Sequence, residues 1–94
     1  MGGWVYSMTN RRDGVLYIGV TSDLAARVHQ HRTGKGSSLC RRYGLTRLVY
    51  VEEHDDIHSA ILREKAMKVW QRAWKIELLE TANPEWDDLF ERVA

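Results

Sequence analysis

The sequence predicts a single small domain, residues 1–94, that combines three β-strands with several α-helices. A chain of 94 residues fits one domain with one modest hydrophobic core. Three short segments, at 4–9, 15–20 and 47–52, are rich in β-forming residues or alternate between the two faces of a strand. The remaining segments carry helix caps and apolar residues at helical spacing. This mixture is typical of an α/β or α+β fold.

The first two strands are predicted to form a hairpin. Residues 4–9 alternate around Tyr6, and the polar residues 10–13 form the turn. With the turn placed there, Tyr6 lies directly opposite Tyr17 in the second strand. Directly opposite residues of an antiparallel pair point to the same face, so the hairpin brings two phenols together. A slip of one residue would separate them.

The next segment is predicted to be a helix that carries two polar side chains on one face. Thr21 or Ser22 can cap its start. Arg27 and His31 lie four residues apart and therefore share a face. Two glycines within residues 33–38 end the helix.

A long helix is predicted after the third strand. It starts near Asp55 or Asp56 and runs toward Leu79 or Glu80. At about 100° per residue, Glu64 falls within one arc with apolar residues. The other members of this arc are Ile57, Ala60 and Ile61. A carboxylate therefore interrupts an apolar face.

Two shorter helices complete the predicted elements. Residues 38–44 form a short helix or turn that ends at Gly44. The last helix begins at Pro84, with Asn83 as its N-cap.

The charges are divided unevenly along the chain. Residues 10–47 carry eight Lys or Arg against two Asp, a charge of +6, and residues 48–94 carry six against eleven Asp or Glu, a charge of −5, which sum to the net +1. A basic half of this size can follow a phosphate backbone. The alternative is a solvated surface whose charges balance in three dimensions.

The single cysteine and the N-terminal residues indicate the cellular compartment of the protein. Cys40 has no partner for an internal disulfide, so we expect a reducing, cytoplasmic compartment. Its neighbours Arg41 and Arg42 could lower its pKa, but no base for a catalytic thiol is evident. The sequence has neither a signal-peptide pattern nor an apolar run long enough to cross a bilayer, so we expect no membrane association.

Four segments in order resemble the GIY-YIG nuclease superfamily. "WVY", ten residues and "YIG" resemble its first motif, and "GVTSDLAARVHQH" resembles the segment that follows. "AILREKAMKVW" resembles the helix that holds the metal-binding glutamate, and "NPEWDDL" resembles a C-terminal motif of a small, freestanding bacterial branch. The resemblance covers about residues 4–90. It departs at Trp4 and Val5, which replace Gly and Ile while the tyrosine is kept.

The resemblance implies an α/β (α+β) fold with a small, three-stranded, mostly antiparallel sheet flanked by helices. It also implies an active site with Glu64 as the ligand of Mg²⁺ or Mn²⁺, because Mg²⁺ prefers hard oxygen ligands. The implied catalytic residues are Tyr6, Tyr17, Arg27, His31, Glu64 and Asn83.

Each of these residues has a chemical role and an ordinary structural alternative. Tyr6 is the predicted general base, but a free phenol with a pKa of about 10 needs a neighbouring cation or base, for which His31 or Arg27 could serve. Tyr17 orients the water or a phosphate oxygen, and Arg27 binds phosphate.

Asn83 orients a ligand or contacts the nucleic-acid backbone. The alternatives are strand tyrosines, solvated helical residues, an Asn83 cap, and a Glu64–Lys68 surface pair.

The predicted function is a metal-dependent endonuclease that hydrolyses DNA, with branched or otherwise structured DNA and a role in repair or recombination suggested by the family. The predicted DNA contacts are Arg27, Lys35, Arg41 and Arg42. One alternative is a nucleic-acid-binding module with little or no catalysis. A weaker alternative is an interaction protein that uses the acidic C-terminal half.

Overall fold

The structure, a computed structural model, describes residues 2–93 and has a three-stranded antiparallel sheet with helices on both faces. The strand order is β2-β1-β3. The sequence therefore predicted the fold class correctly. The elements in chain order are β1 (Gly3–Thr9), β2 (Leu16–Thr21), α1 (Leu24–Arg32), α2 (Ser38–Tyr43), β3 (Arg47–His54), α3 (Ile57–Lys68), α4 (Arg72–Ala82) and α5 (Phe90–Val93).

The register of the β1–β2 hairpin differs from the prediction. Tyr6 pairs with Gly19, and Tyr17 pairs with Met8. The connecting loop, residues 10–15, is two residues longer than predicted. Within it the Asn10 side chain accepts a hydrogen bond from the backbone N–H of Val15 at 3.1 Å. A shift of two residues preserves the faces, so both tyrosines still lie on the same side of the sheet.

Both faces of the sheet are covered by apolar side chains. On one face the core is built with α3, α4 and the segment after α4, and on the other it is built with α1, α2 and the C-terminal segment. The first core contains Val5, Ile18, Val49, Tyr50, Ala60, Met67, Leu79 and Trp86. The second contains Tyr6, Met8, Leu24, Val28, Cys40, Leu45 and Leu48. Tyr6, one of the two predicted catalytic tyrosines, is thus also a core residue.

The short helices around α1 follow the sequence with one correction. The N-cap of α1 is Asp23, whose carboxylate accepts from the N–H of Ala26 at 3.2 Å, rather than Thr21 or Ser22. Helix α2 ends as predicted at Gly44, which adopts the left-handed conformation with φ of 65°.

The predicted long helix is two helices, α3 and α4, separated by residues 69–71. A continuous helix over residues 57–80 would be about 36 Å long. The longest dimension of the molecule is 30 Å, so such a helix would extend beyond the rest of the molecule. Breaking it lets Leu79 return to the core. No helix within residues 2–93 is long and apolar enough to cross a membrane.

The last helix starts later than predicted. Asn83 is the C-cap of α4 and not the N-cap of a helix beginning at Pro84. Residues 84–89 are held against β3 without helical structure, because the N–H of Leu89 donates to the carbonyl of Leu48 at 2.7 Å. Only α5 is helical after this segment.

Cys40 is a core residue. Its exposed fraction is 1%, and burial raises the pKa of its thiol above the ordinary value, with partial opposition from a hydrogen bond to Ser37. The neighbouring arginines do not activate it, and we assign the thiol to packing.

Candidate active site

The centre of the candidate site is a buried hydrogen bond between two predicted catalytic residues. Tyr6 lies in the middle of the central strand with an exposed fraction of 1%, and His31 in the last turn of α1 is 2% exposed. The phenolic Oη of Tyr6 lies 2.8 Å from Nε2 of His31. The sequence predicted that His31 could assist Tyr6, and the structure places the two groups in contact.

Tyr17 completes a cluster of three rings. The centroids of Tyr6 and Tyr17 are 6.2 Å apart, and those of Tyr17 and His31 are 5.4 Å apart in an edge-to-face arrangement. The tyrosines lie diagonally across the β1–β2 pair, a distance that aromatic side chains can bridge. Tyr17 is less buried than Tyr6 and forms the outer side of the cluster.

Gly19 leaves space for both tyrosine rings. An added Cβ at this position would lie 2.5 Å from Oη of Tyr6 and 2.8 Å from Cε2 of Tyr17. Real Cβ atoms essentially never approach other atoms so closely, so any other residue would displace a ring. The motif "YIG" contained this glycine, but the sequence alone assigned it no role.

We predict that Gly19→Ala lowers the free energy of unfolding by about 1–3 kcal/mol and weakens cleavage, because the crowded methyl group must move Tyr6 or Tyr17. Gly3→Ala is the matched control. It crowds Ile57 and Ala60 on α3, away from the tyrosines. Melting curves and plasmid nicking below both melting temperatures would measure the effects. Equal nicking by equally destabilised variants would contradict the role of Gly19.

Tyr6 and His31, the central pair of the site, are both electrically neutral near pH 7. Burial is the largest reason that the pKa of the Tyr6 phenol lies far above its ordinary value of 10.0; Tyr17 raises it further, and Arg27 opposes the change. Burial, followed by the charge of Arg27, lowers the pKa of His31 below 6.5. Tyr6 therefore keeps its proton, and His31 stays able to accept one.

Arg27 lies at the rim of the site. It is exposed on α1, one turn before His31, and lines a shallow cavity of about 150 Å³ together with Thr21, Asp23 and Gln30. The predicted shared face therefore runs from solvent at Arg27 to the interior at His31. An exposed guanidinium in this position can reach a phosphate of a nucleic acid.

Glu64 is buried on α3, as the predicted arc requires, and α3 packs on the sheet face opposite the core that contains Tyr6. Within residues 2–93 the structure therefore brings Tyr6, Tyr17 and His31 into contact, but no hydrogen bond or ion pair joins Glu64 to them.

Glu64 is 9% exposed, and its Oε2 lies 3.0 Å from Nζ of Lys68. The alternative interpretation, a helical pair, is therefore also present in the structure. Within residues 2–93 no group of three or more His, Cys, Asp or Glu could hold a metal ion. A single carboxylate nevertheless fits Mg²⁺ or Mn²⁺, because Mg²⁺ commonly keeps several waters and takes substrate oxygens.

A second polar cluster fixes the orientation of α3. Glu52 on β3 accepts hydrogen bonds from Tyr50 at 2.6 Å and from Arg63 on α3 at 3.0 Å, and it pairs with His54 at 2.6 Å. Burial alone would raise the pKa of Glu52, but these hydrogen bonds hold it below the ordinary value. Because Arg63 precedes Glu64, the cluster anchors the turn of α3 that carries the predicted ligand. The sequence did not identify it.

Asn83 makes structural contacts. Its exposed fraction is 5%, and Nδ2 donates to the carbonyls of Val49 and Asp87, each at 2.9 Å. Oδ1 accepts from the N–H of Asp87 at 3.0 Å. These bonds fix the chain after α4 to β3 and favour a structural role. A direct role of Asn83 in catalysis or phosphate binding stays a prediction.

The predicted DNA-contacting residues are exposed. Lys35 lies in the loop after α1, and Arg41 and Arg42 lie on α2. Neither these three residues nor Arg27 form an ion pair with any residue within 2–93, so their charges remain available to an external anion.

Comparisons with known proteins identify the family of this chain. The family model described as the GIY-YIG catalytic domain matches residues 2–77. A UPF0213 protein of Staphylococcus epidermidis is 34% identical over 72% of this chain and 83% of its own length. A UPF0213 protein of Aeromonas hydrophila is 32% identical over 81% of this chain, which spans only 56% of that relative.

A solved structure is similar over the whole fold. The solution NMR structure of a UPF0213 protein from Bacillus halodurans has 27% sequence identity and a TM-score of 0.59, and the match covers 97% of this chain and 96% of that one. With the family model matching most of the chain, the tyrosine pair and its glycine lie in the region that the model describes. The chain therefore belongs to the GIY-YIG nuclease family, and its similar relatives are UPF0213 proteins.

Proposed function

We propose that this protein is a metal-dependent endonuclease that hydrolyses DNA phosphodiester bonds. The observation that carries the proposal is the buried hydrogen bond between Tyr6 and His31, beside Tyr17 and below the exposed Arg27. A phenol in contact with a neutral imidazole can move a proton without first becoming a phenolate. Family membership supports a nucleic acid as substrate.

The chemical step transfers a proton through the central pair. As the water oxygen bonds to phosphorus, the P–O bond to the leaving sugar oxygen breaks; the water gives a proton to Oη of Tyr6 while Tyr6 gives its own proton to Nε2 of His31, and the leaving oxygen takes a proton from solvent. This route avoids the phenolate, whose formation the burial of Tyr6 strongly disfavours. Tyr17 orients the water, and Arg27 stabilises the charge that develops on the phosphate oxygens.

Glu64 is the residue that would hold the metal ion. A bound Mg²⁺ or Mn²⁺ supplies Lewis acidity at the phosphate and at the leaving oxygen. The ion pair with Lys68 balances the carboxylate when no cation is bound, and the half-exposed Lys68 can turn away into solvent. The donor chemistry and burial of Glu64 support this assignment.

The path of the DNA is proposed to follow Arg27, Lys35, Arg41 and Arg42. We predict that replacing both Arg41 and Arg42 by alanine weakens DNA binding and reduces the salt dependence by about one to two phosphate contacts. The control is Arg92→Ala, which removes an exposed arginine from α5. Binding isotherms at several salt concentrations give the slope. An unchanged slope in the double variant would remove α2 from the interface.

The proposed function is tested with labelled substrates. Duplex, single-stranded, nicked, flapped and branched DNA, with an RNA duplex for comparison, are incubated with Mg²⁺, Mn²⁺ or EDTA. We expect metal-dependent cleavage of at least one DNA substrate, and a preference for branched DNA would support a role in repair or recombination. Salt-dependent binding without cleavage of any substrate would instead support the nucleic-acid-binding module.

A further inference from the structure

The loop after α1 folds back over the end of that helix. The N–H of Thr33 donates to the carbonyl of His29 at 3.0 Å, and the N–H of Lys35 donates to the carbonyl of Gln30 at 2.8 Å. At its other end, the Ser37 side chain accepts from the first turn of α2. The residue between these anchors, Gly36, is therefore held in place from both sides.

Gly36 lies against the ring of His31. An added Cβ on Gly36 would come closer than 3.0 Å to Nδ1 and would lie 2.8 Å from Cε1. His31 is 2% exposed, and Nδ1 is a buried side-chain atom without a hydrogen-bond partner within residues 2–93. The backbone of Gly36 thus covers the side of the imidazole that faces away from Tyr6.

We propose that Gly36 is a positioning residue that holds His31 with Nε2 toward Tyr6 and closes the Nδ1 side of the ring. This inference rests on the proposed function, in which Nε2 accepts the proton of Tyr6. A neutral imidazole that accepts through Nε2 must carry its own proton on Nδ1. Within residues 2–93 Tyr6 is the only hydrogen-bond partner of the His31 ring, so the proton that His31 accepts returns through Tyr6.

Gly36 is required for its size rather than for its backbone conformation. Its φ lies outside the left-handed region, so alanine fits the backbone and only its methyl group is excluded. Gly34 provides the opposite case. It has a φ of 79° with no atom within 4 Å of an added Cβ, so Gly34→Asn introduces a side chain without crowding His31. This pair of variants separates the contact with His31 from general disturbance of the loop.

The first measurement needs neither metal nor DNA. Imidazole ¹H–¹⁵N spectra report the tautomer and titration of each histidine, and the signals of His31 are those that disappear in His31→Ala. We expect a neutral ring protonated on Nδ1 in the wild type and in Gly34→Asn. In Gly36→Ala we expect the displaced ring to lose this tautomer or to titrate closer to 6.5. Unchanged His31 spectra in Gly36→Ala would overturn the proposal.

The second measurement is a double-variant comparison. Gly36→Ala should lower kcat for plasmid nicking by about 10²-fold with little change in DNA affinity, because a small misplacement of a catalytic group has effects of this size. In a His31→Ala background, the same substitution should cause no further loss of melting temperature, since the crowded ring is gone. This second result is informative even if Gly36→Ala alone unfolds.

Equal losses of melting temperature caused by Gly36→Ala in the presence and absence of the His31 ring would overturn the positioning role. A wild-type protein with the expected His31 spectrum but no cleavage would instead contradict the proposed function. The two failures are therefore distinguishable.

Discussion

Glu64→Gln is expected to abolish metal-dependent cleavage while the protein remains folded. Glutamine keeps the shape of the side chain but removes the negative charge that a Mg²⁺ or Mn²⁺ ion requires. Glu64 contributes the carboxylate of the proposed metal site, and within residues 2–93 no cluster of three metal-ligating side chains offers an alternative. The loss should therefore be larger than for any other single substitution outside the Tyr6–His31 pair.

The stability of Glu64→Gln should change little. The carboxylate is nearly buried, whereas its partner Lys68 is half exposed, so solvent screens the ion pair. A helical pair of this kind contributes about 0.5 kcal/mol at most. Removing a buried charge offsets this loss, and we expect an unchanged or slightly raised melting temperature. Metal-free DNA binding should persist or tighten, because a negative charge near the phosphates is removed.

Lys68→Gln is the matched control for this experiment. It breaks the same ion pair but leaves the Glu64 carboxylate in place, so it should retain nicking across a Mg²⁺ or Mn²⁺ titration. If Glu64 served only as the partner of Lys68, the two variants would behave alike. Normal nicking by Glu64→Gln would contradict the metal assignment and most of the proposed mechanism.

The sequence predicted those parts of the fold that depend on local patterns. Alternation around Tyr6, the glycines after α1 and the left-handed Gly44 are properties of neighbouring residues, and the corresponding elements were found as predicted. The helical spacing also placed Glu64 on the buried side of α3. These patterns are set by a period of two or 3.6 residues and need no knowledge of distant contacts.

The wrong predictions concern features of the fold that are determined by contacts between residues far apart in the sequence. Residues 69–71 contain neither Gly nor Pro, so the local sequence does not mark the break between α3 and α4, which lets Leu79 pack in the core. Asn83 is an acceptable N-cap by sequence, but its side chain is occupied by Val49 and Asp87. The predicted hairpin register was wrong because the loop spans residues 10–15, where the Asn10 side chain and the carbonyl of Arg11 accept hydrogen bonds that the sequence pattern did not indicate.

In the candidate site, too, local motifs predicted the residue types, whereas contacts between distant residues determine the geometry. The residue types came from the motifs, but the contact between Tyr6 and His31 joins positions 25 residues apart and depends on how α1 crosses the sheet. Gly19 and Gly36 look like ordinary strand and loop glycines in the sequence. At each position a ring of the candidate site occupies the space of the missing Cβ, which only the assembled fold reveals.

Tyr6→Phe is expected to lower kcat by about 10²–10⁴-fold, the usual contribution of a group that transfers a proton in the transition state. Tyr17→Phe should cause a smaller loss, because Tyr17 is assigned only to the positioning of water or phosphate. Tyr50→Phe is the control. It removes a buried phenolic hydroxyl that donates to Glu52, but Arg63 on α3 still donates to Glu52, so the position of Glu64 is kept and cleavage should be nearly unchanged.

The structure indicates that Tyr6→Phe also lowers the stability of the fold, which the sequence did not suggest. Tyr6→Phe leaves the buried Nε2 of His31 without its partner, and an unpaired buried polar atom costs about 1–3 kcal/mol of stability. Single-turnover nicking with saturating metal, at a temperature where all variants are folded, therefore separates chemistry from unfolding. Tyr6→Phe should also leave DNA affinity intact, because the Tyr6 hydroxyl is assigned to proton transfer and the proposed phosphate contacts are made by Arg27, Lys35, Arg41 and Arg42. Equal reductions of kcat in Tyr6→Phe and Tyr17→Phe would contradict the assignment of Tyr6 as the general base.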